Sequence, residues 1–263
     1  MSSGRLSPVS QNGASQKVAG ENGASKNGAG QNGAGEHVRD SPHSTDRSFT
    51  VRAPDLVYKI VKGLLRLLCF AYFRVRVKGA DKVPKTGRVI LAPVHRSFVD
   101  FLVVGTTITN RKVFFMAKDD LWHSRLLGGF LESFGAFPVN REGADRLALD
   151  RAQAVLENDE ALIMFPEGTR RSGPVIENLH EGAVFLAART GTSILPVGVG
   201  GTSASMPKGA KVPRPVKVTL LVGDPIAPPE RSGAGRVARH KVHDVTEQLR
   251  IELQRLYDLS ESH

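Results

Sequence analysis

From about residue 75 onward, short apolar runs alternate with stretches in which apolar positions recur every three or four residues. The runs predict strands near 75–78, 88–93, 112–117, 136–139, 160–165, 193–199 and 216–222. The spaced stretches predict helices near 98–108, 120–133, 144–157, 179–190 and 235–258. Val89-Ile90-Leu91 and Ala161-Leu162-Ile163-Met164-Phe165 are apolar at every position, as strands covered on both faces are. Alternating strand and helix predicts an α/β domain over 74–263: a mostly parallel sheet flanked by helices. Its last helix has a narrow apolar face of Val242, Val245, Leu249, Leu253 and Leu256, which suits packing on that domain.

Upstream, residues 54–73 have a different pattern. Leu56, Val57, Ile60, Val61, Leu64, Leu65, Leu67, Leu68 and Phe70 make a wide apolar face. Asp55, Lys59, Lys62 and Arg66 form a narrow, mostly cationic stripe beside it. Two fates fit such a helix. It can lie on a membrane surface over residues 51–73 with its lysines toward anionic headgroups, or it can pack on the domain core. Apolar runs of about 18 residues are absent, so a spanning helix is not expected.

Residues 1–50 are low in complexity, with Asn-Gly-Ala recurring at Asn12, Asn22, Asn27 and Asn32. A Gly-, Asn- and Ser-rich stretch without apolar periodicity buries too little surface to offset the entropy of ordering, so a disordered N-terminal tail is expected.

The net charge of +10 points to an anionic partner: nucleic acid, membrane or phosphorylated substrate. Aromatics are sparse at 6% and no nucleic-acid-binding motif is present, which favours membrane or phosphate over nucleic acid. A single cysteine, Cys69, forbids an intramolecular disulfide. That suits a reducing compartment, and the N-terminus lacks a signal-type apolar stretch, so a peripheral place on the cytoplasmic face of the membrane is expected.

Four blocks carry the candidate chemistry. In His95-Arg96-Ser97-Phe98-Val99-Asp100, a histidine follows a buried-type strand and an aspartate sits in the first turn of the next helix. The carboxylate can reach back to one imidazole nitrogen, fix the tautomer and leave the other nitrogen to take a proton. Chance supplies such pairs readily, so the spacing decides nothing alone. In Phe165-Pro166-Glu167-Gly168-Thr169-Arg170, the loop follows a strand at the end where open α/β sheets collect ligands. There Gly168 permits a tight turn, Arg170 offers a planar fork to phosphate oxygens, and Glu167 can orient an arginine or meet a substrate hydroxyl. Arg141, closing Gly135-Ala136-Phe137-Pro138-Val139-Asn140-Arg141, also falls at a strand end and suits a second phosphate contact. In Ile194-Leu195-Pro196-Val197-Gly198-Val199, the proline removes a ladder donor and implies an edge, a bulge or a ligand-facing bend.

Several chemistries are missing. There is no G-x-S-x-G elbow, no histidine near Cys69, no P-loop, no dinucleotide fingerprint and no metal-type cluster. What remains is direct attack by an activated hydroxyl, without a covalent enzyme intermediate.

The ordered set of blocks resembles the glycerolipid acyltransferases with an H-x4-D motif, most closely the 1-acyl-glycerol-3-phosphate (lysophosphatidate) acyltransferases, over roughly residues 75–200. The resemblance implies His95 as catalytic base and Asp100 as its orienting partner. It implies Arg141, Glu167, Gly168, Thr169 and Arg170 as the acceptor's phosphate site, and links the fourth block to the acyl donor or to pocket structure. It implies acyl-CoA or acyl carrier protein as co-substrate, no cofactor and no metal, with phosphatidic acid as product. An acceptor such as another lysophospholipid or glycerol 3-phosphate, or a non-catalytic lipid-binding module, are the competing functions. Many members have asparagine before the histidine, where this chain has Val94. Trp122, Leu126, Phe130 and Phe134, spaced by four, suit either an acyl groove or core packing.

Overall fold

The computed structural model describes residues 55–139, 146–207, 210, 212–231 and 237–262, the side chain of Asp55 excepted. The expected tail over 1–50 lies outside them. The described strands are β1 (Arg76–Lys78), β2 (Val89–Pro93), β3 (Val113–Lys118), β4 (Ala136–Val139), β5 (Ala161–Ile163), β6 (Ile194–Gly200) and β7 (Thr219–Val222). They form one sheet in the order β1-β7-β6-β2-β5-β3-β4. Only the β6–β7 pair is antiparallel; all other neighbours run parallel. The expected mostly parallel sheet is therefore present.

Helices cover both faces, and strand alternation decides which residues each face receives. Leu91 of β2 and Ile163 of β5 point to one side, with Val103 of α2 (Asp100–Thr107), Leu131 of α3 (Arg125–Ser133) and Cys69 of α1 (Asp55–Tyr72). Ile90 and Leu162 point to the other, with Leu156 of α4 (Arg146–Glu157), Leu186 of α5 (Gly182–Thr190) and Leu249 of α7 (Arg239–Glu261). Both faces of the central strands are thus dry, which is why their sequence is apolar at every position. A four-residue turn, α6 (Thr202–Ser205), follows β6 and is not legible in the sequence.

Three expectations need correction. The helix expected over 120–133 is two elements: a 3₁₀ turn, Asp119–His123, then α3. Ser124 divides them, and its side chain caps α3 by accepting from the Leu127 N–H. Of the edge, bulge or bend expected at Pro196, only the edge is excluded, because β6 lies between β2 and β7; residues 195–196 face 223–225, one extra residue, as in a bulge. The Pro196 carbonyl faces the β7 side and accepts from the Gly223 N–H at 2.9 Å. Its nitrogen faces the same way, into the gap between the Ile194–Ile226 bridge and the ladder that starts at Val197–Val222, where no donor is required.

The third correction concerns α1. Part of its cationic stripe turns inward: Lys62 is 6% exposed and donates to the Arg111 carbonyl at 2.5 Å, and Arg66, half-buried, donates to Asn110 Oδ1 at 2.6 Å, while Lys59 stays exposed. Tyr58, Cys69 and the adjoining Phe73 are buried on the same side. The wide apolar face points outward, with Leu56, Leu64 and Leu67 exposed by 69%, 61% and 66%. Lys62 therefore does not face outward toward headgroups, and the apolar stripe does not pack on the core. Among the described residues, no helix is long and apolar enough to cross a membrane.

Candidate active site

The C-terminal ends of the parallel strands converge on one region, and the loops leaving β2 and β5 meet there. His95 follows β2 by two residues, and its ring Nδ1 lies 3.0 Å from Asp100 Oδ2. Asp100 is fully buried at the first residue of α2. The same oxygen accepts from the backbone N–H groups of Arg96 at 2.7 Å and Ser97 at 2.6 Å. Three donors on one oxygen fix the carboxylate, and the carboxylate fixes the imidazole. The ring also stacks on Phe165 from the β5 loop, with centroids 4.0 Å apart. With Nδ1 committed to Asp100, the neutral ring carries its proton there and presents Nε2 as an acceptor. Nε2 has no hydrogen-bond partner among the described residues.

The β5 loop closes on His95 from the other side. Glu167 is buried, and its Oε1 accepts from the His95 backbone N–H at 2.9 Å. Its Oε2 pairs with the Arg96 guanidinium. Both oxygens of Glu167 are thus engaged inside the protein. The Arg171 N–H returns to the His95 carbonyl at 3.0 Å. Gly168 has φ +67, and a Cβ there would fall 2.6 Å from Cδ2 of His180. Both the backbone and the space require glycine. Thr169 and Arg170 are exposed, and the Arg170 guanidinium sits over the Phe98 ring at 5.7 Å. Arg141 lies outside the described residues.

His95 and Arg170 line one end of a cavity of about 460 Å³ with mainly apolar walls. Phe101, Phe115, Leu131 and Phe134 line its length, and Tyr58 and Lys62 of α1 reach it from the far side of the β3 strand direction, near Val113. Of the four-spaced stripe, Phe130 and Phe134 line the cavity; Trp122 and Leu126 do not, and Leu126 is exposed. Sequence reasoning missed Lys118, which ends β3 on the His95 side and lines the same cavity. Lys118 donates to Asp120 and holds that carboxyl below the usual carboxylate range. The signal was available: a lysine ending an apolar strand run, at the edge where ligands collect. Burial pushes the Lys62 ammonium down to about 8, with the neighbouring Arg66 charge adding to the effect.

Among the described residues, no cluster of His, Cys, Asp or Glu has the arrangement of a metal site. The chemistry in place is an oriented base, a buried carboxylate behind it, cations beside it and an apolar chamber in front.

A model of the acyltransferase family matches residues 74–200, which hold all four sequence blocks. The chain thus carries an acyltransferase domain over these residues. It is 28% identical to the 1-acyl-sn-glycerol-3-phosphate acyltransferase of Bacillus subtilis, over 65% of this chain and 82% of that one. It is also 28% identical to the Streptococcus pneumoniae enzyme of the same name, over 79% of this chain and 75% of that one. The crystal structure of the 1-acyl-sn-glycerophosphate (LPA) acyltransferase of Thermotoga maritima superposes with a TM-score of 0.62 at 25% identity, covering 81% of this chain and 85% of that one. The chain therefore shares the fold of the Thermotoga maritima enzyme.

Proposed function

We propose that the protein transfers a fatty acyl group from a thioester, acyl-CoA or acyl carrier protein, to the free hydroxyl of 1-acyl-glycerol 3-phosphate. The observation that carries this reading is the His95–Asp100 pair, 3.0 Å apart, opening onto an apolar cavity flanked by cations. The names of the relatives support the acceptor.

Nε2 of His95 takes the hydroxyl proton as the oxygen attacks the thioester carbonyl. Asp100 stabilises the imidazolium that forms. The tetrahedral intermediate collapses with loss of the C–S bond, the thiolate leaves, and the imidazolium returns its proton to give a neutral thiol and an ester. Arg170 and Lys118, on the His95 side of the cavity, hold the acceptor phosphate; Arg141 is a further contact implied by the resemblance. The cavity runs beside β3 from Val113 to Lys118, about 16 Å by strand rise, which accommodates much of a fatty acyl chain. No metal or cofactor has a place in this scheme.

The exposed apolar face of α1, next to the exposed Leu127 and Phe130 of α3 by the cavity, seats the enzyme on a lipid surface. A lysolipid then enters from the membrane rather than from water.

The test follows thiol release from acyl-CoA and from acyl carrier protein, with and without lysophosphatidate. Acceptor-dependent release with formation of phosphatidic acid is expected. Release that needs a different lysophospholipid or glycerol 3-phosphate would change the acceptor; no acceptor-dependent release from either donor would leave a lipid-binding module.

A further inference from the structure

Arg96, the residue after the histidine, is a buried cation at the site, with a side chain 1% exposed. It does not line the cavity that His95 and Arg170 line. Its guanidinium pairs with Glu167, donates to the His95 carbonyl at 3.3 Å and to the Val175 carbonyl at 3.1 Å, and sits 5.1 Å from the Tyr257 ring centroid. A buried ion pair of this kind contributes little net stability, because desolvating both charges offsets their attraction. Its geometry does something else: it joins three separate segments at one backbone position.

We propose that Arg96, with Glu167, is a positioning residue through which the C-terminal helix α7 sets the place of His95. The chain of contacts is continuous. In α7, Gln254 accepts from the Ile176 N–H at 2.7 Å and donates to the Pro174 carbonyl at 2.9 Å. That fixes the 174–176 segment, whose Val175 carbonyl receives Arg96, while Tyr257 of the same helix covers the guanidinium. Arg96 orients Glu167, and Glu167 holds the His95 N–H at 2.9 Å. His95 is thus held by its amide through Glu167, by its carbonyl through Arg96 and Arg171, and by its ring through Asp100. The helix lies beyond residues 74–200, which the family model spans, yet it is part of the catalytic unit. Glu167, which the resemblance places among acceptor contacts, serves the base instead.

The inference rests on His95 being the base, so its test has one readout with turnover and one without. In Arg96→Gln and in Glu167→Gln, kcat per folded protein should fall about 10²-fold, the cost of a small misplacement of a reacting group. The KM for lysophosphatidate should stay within about twofold. The double variant should lose no more than either single one, because the two residues act as a unit. Arg96→Lys should recover part of the loss. The proton on His95 Nδ1, in its hydrogen bond to Asp100, gives a downfield resonance in histidine-labelled protein, assigned by its loss in His95→Ala. Arg96→Gln should shift or broaden it. If Arg96→Gln does not fold, Arg96→Lys and Glu167→Gln carry the same comparisons. A raised KM with kcat intact in Glu167→Gln, additive losses in the double variant, or an unmoved resonance would overturn the proposal. Turnover that survives His95→Ala would instead sink the base assignment, and the resonance separates the two failures.

Discussion

At the scale of single residues, the structure separates groups that line the cavity from groups buried behind them. His95 and Arg170 line the cavity; Asp100 and Glu167 are buried behind them. Arg170→Ala should mainly raise the acceptor's KM, with a smaller effect on kcat, in steady-state assays over a lysophosphatidate series. Gly168→Val combines a positive φ with a clash against His180, so it should lower both activity and thermal stability. A wild-type melting temperature in Gly168→Val would contradict the loop geometry. The meeting of His95, Asp100 and Arg170 in one region was legible, because each sits in a loop or first helical turn that follows a strand end. Glu167 was legible as a candidate but not in its partners. Those are the His95 N–H and the Arg96 guanidinium, 72 and 71 positions earlier in sequence, and only the meeting of two loops brings them together.

At the scale of elements, α1 shows where sequence periodicity stops. The pattern fixes the width of the apolar face but not which side meets the protein. Here the carbonyl of Arg111 and the amide of Asn110 offer partners to Lys62 and Arg66, so these two cations turn inward while Lys59 stays exposed. The strands were easier to read, since runs such as Val89–Leu91 are apolar at every position only when both faces are covered. The inward turn of Lys62 has a pH consequence. Burial lowers Lys62 to about 8, so between there and the usual 10.5 the unfolded chain binds more protons than the folded one, and stability contributed by this site rises with pH. Below about 8 the folded state carries the cost of a buried ammonium. Lys62→Met removes it, so the variant's stability relative to wild type should be greatest near pH 7 and decline by up to about 3 kcal/mol toward pH 10. Denaturant titrations at several pH values check this; a difference that does not change with pH would contradict it. The outward face has its own test. Leu64→Glu with Leu67→Glu should leave the melting temperature nearly unchanged and release the protein from anionic phospholipid vesicles in sedimentation. Undiminished binding would show that α1 is not the contact.

At the scale of the whole molecule, sheet topology, cavity and surface serve one arrangement. Parallel strands bring the loops after β2 and β5 and the end of β3 to one rim, and α1, α2 and α3 enclose an apolar chamber below it. A net charge of +10 suits a protein that meets anionic lipid and a phosphorylated acceptor. Vesicle binding should weaken with rising salt to the extent that charge contributes, leaving the apolar component. The central claim is that His95 activates the acceptor hydroxyl for direct attack on a thioester. The most direct measurement is lysophosphatidate-dependent thiol release by wild type and His95→Ala, compared at equal folded concentration. The account predicts a fall in kcat of about 10²–10⁴-fold with an unchanged melting temperature. Near-normal turnover in His95→Ala would contradict it.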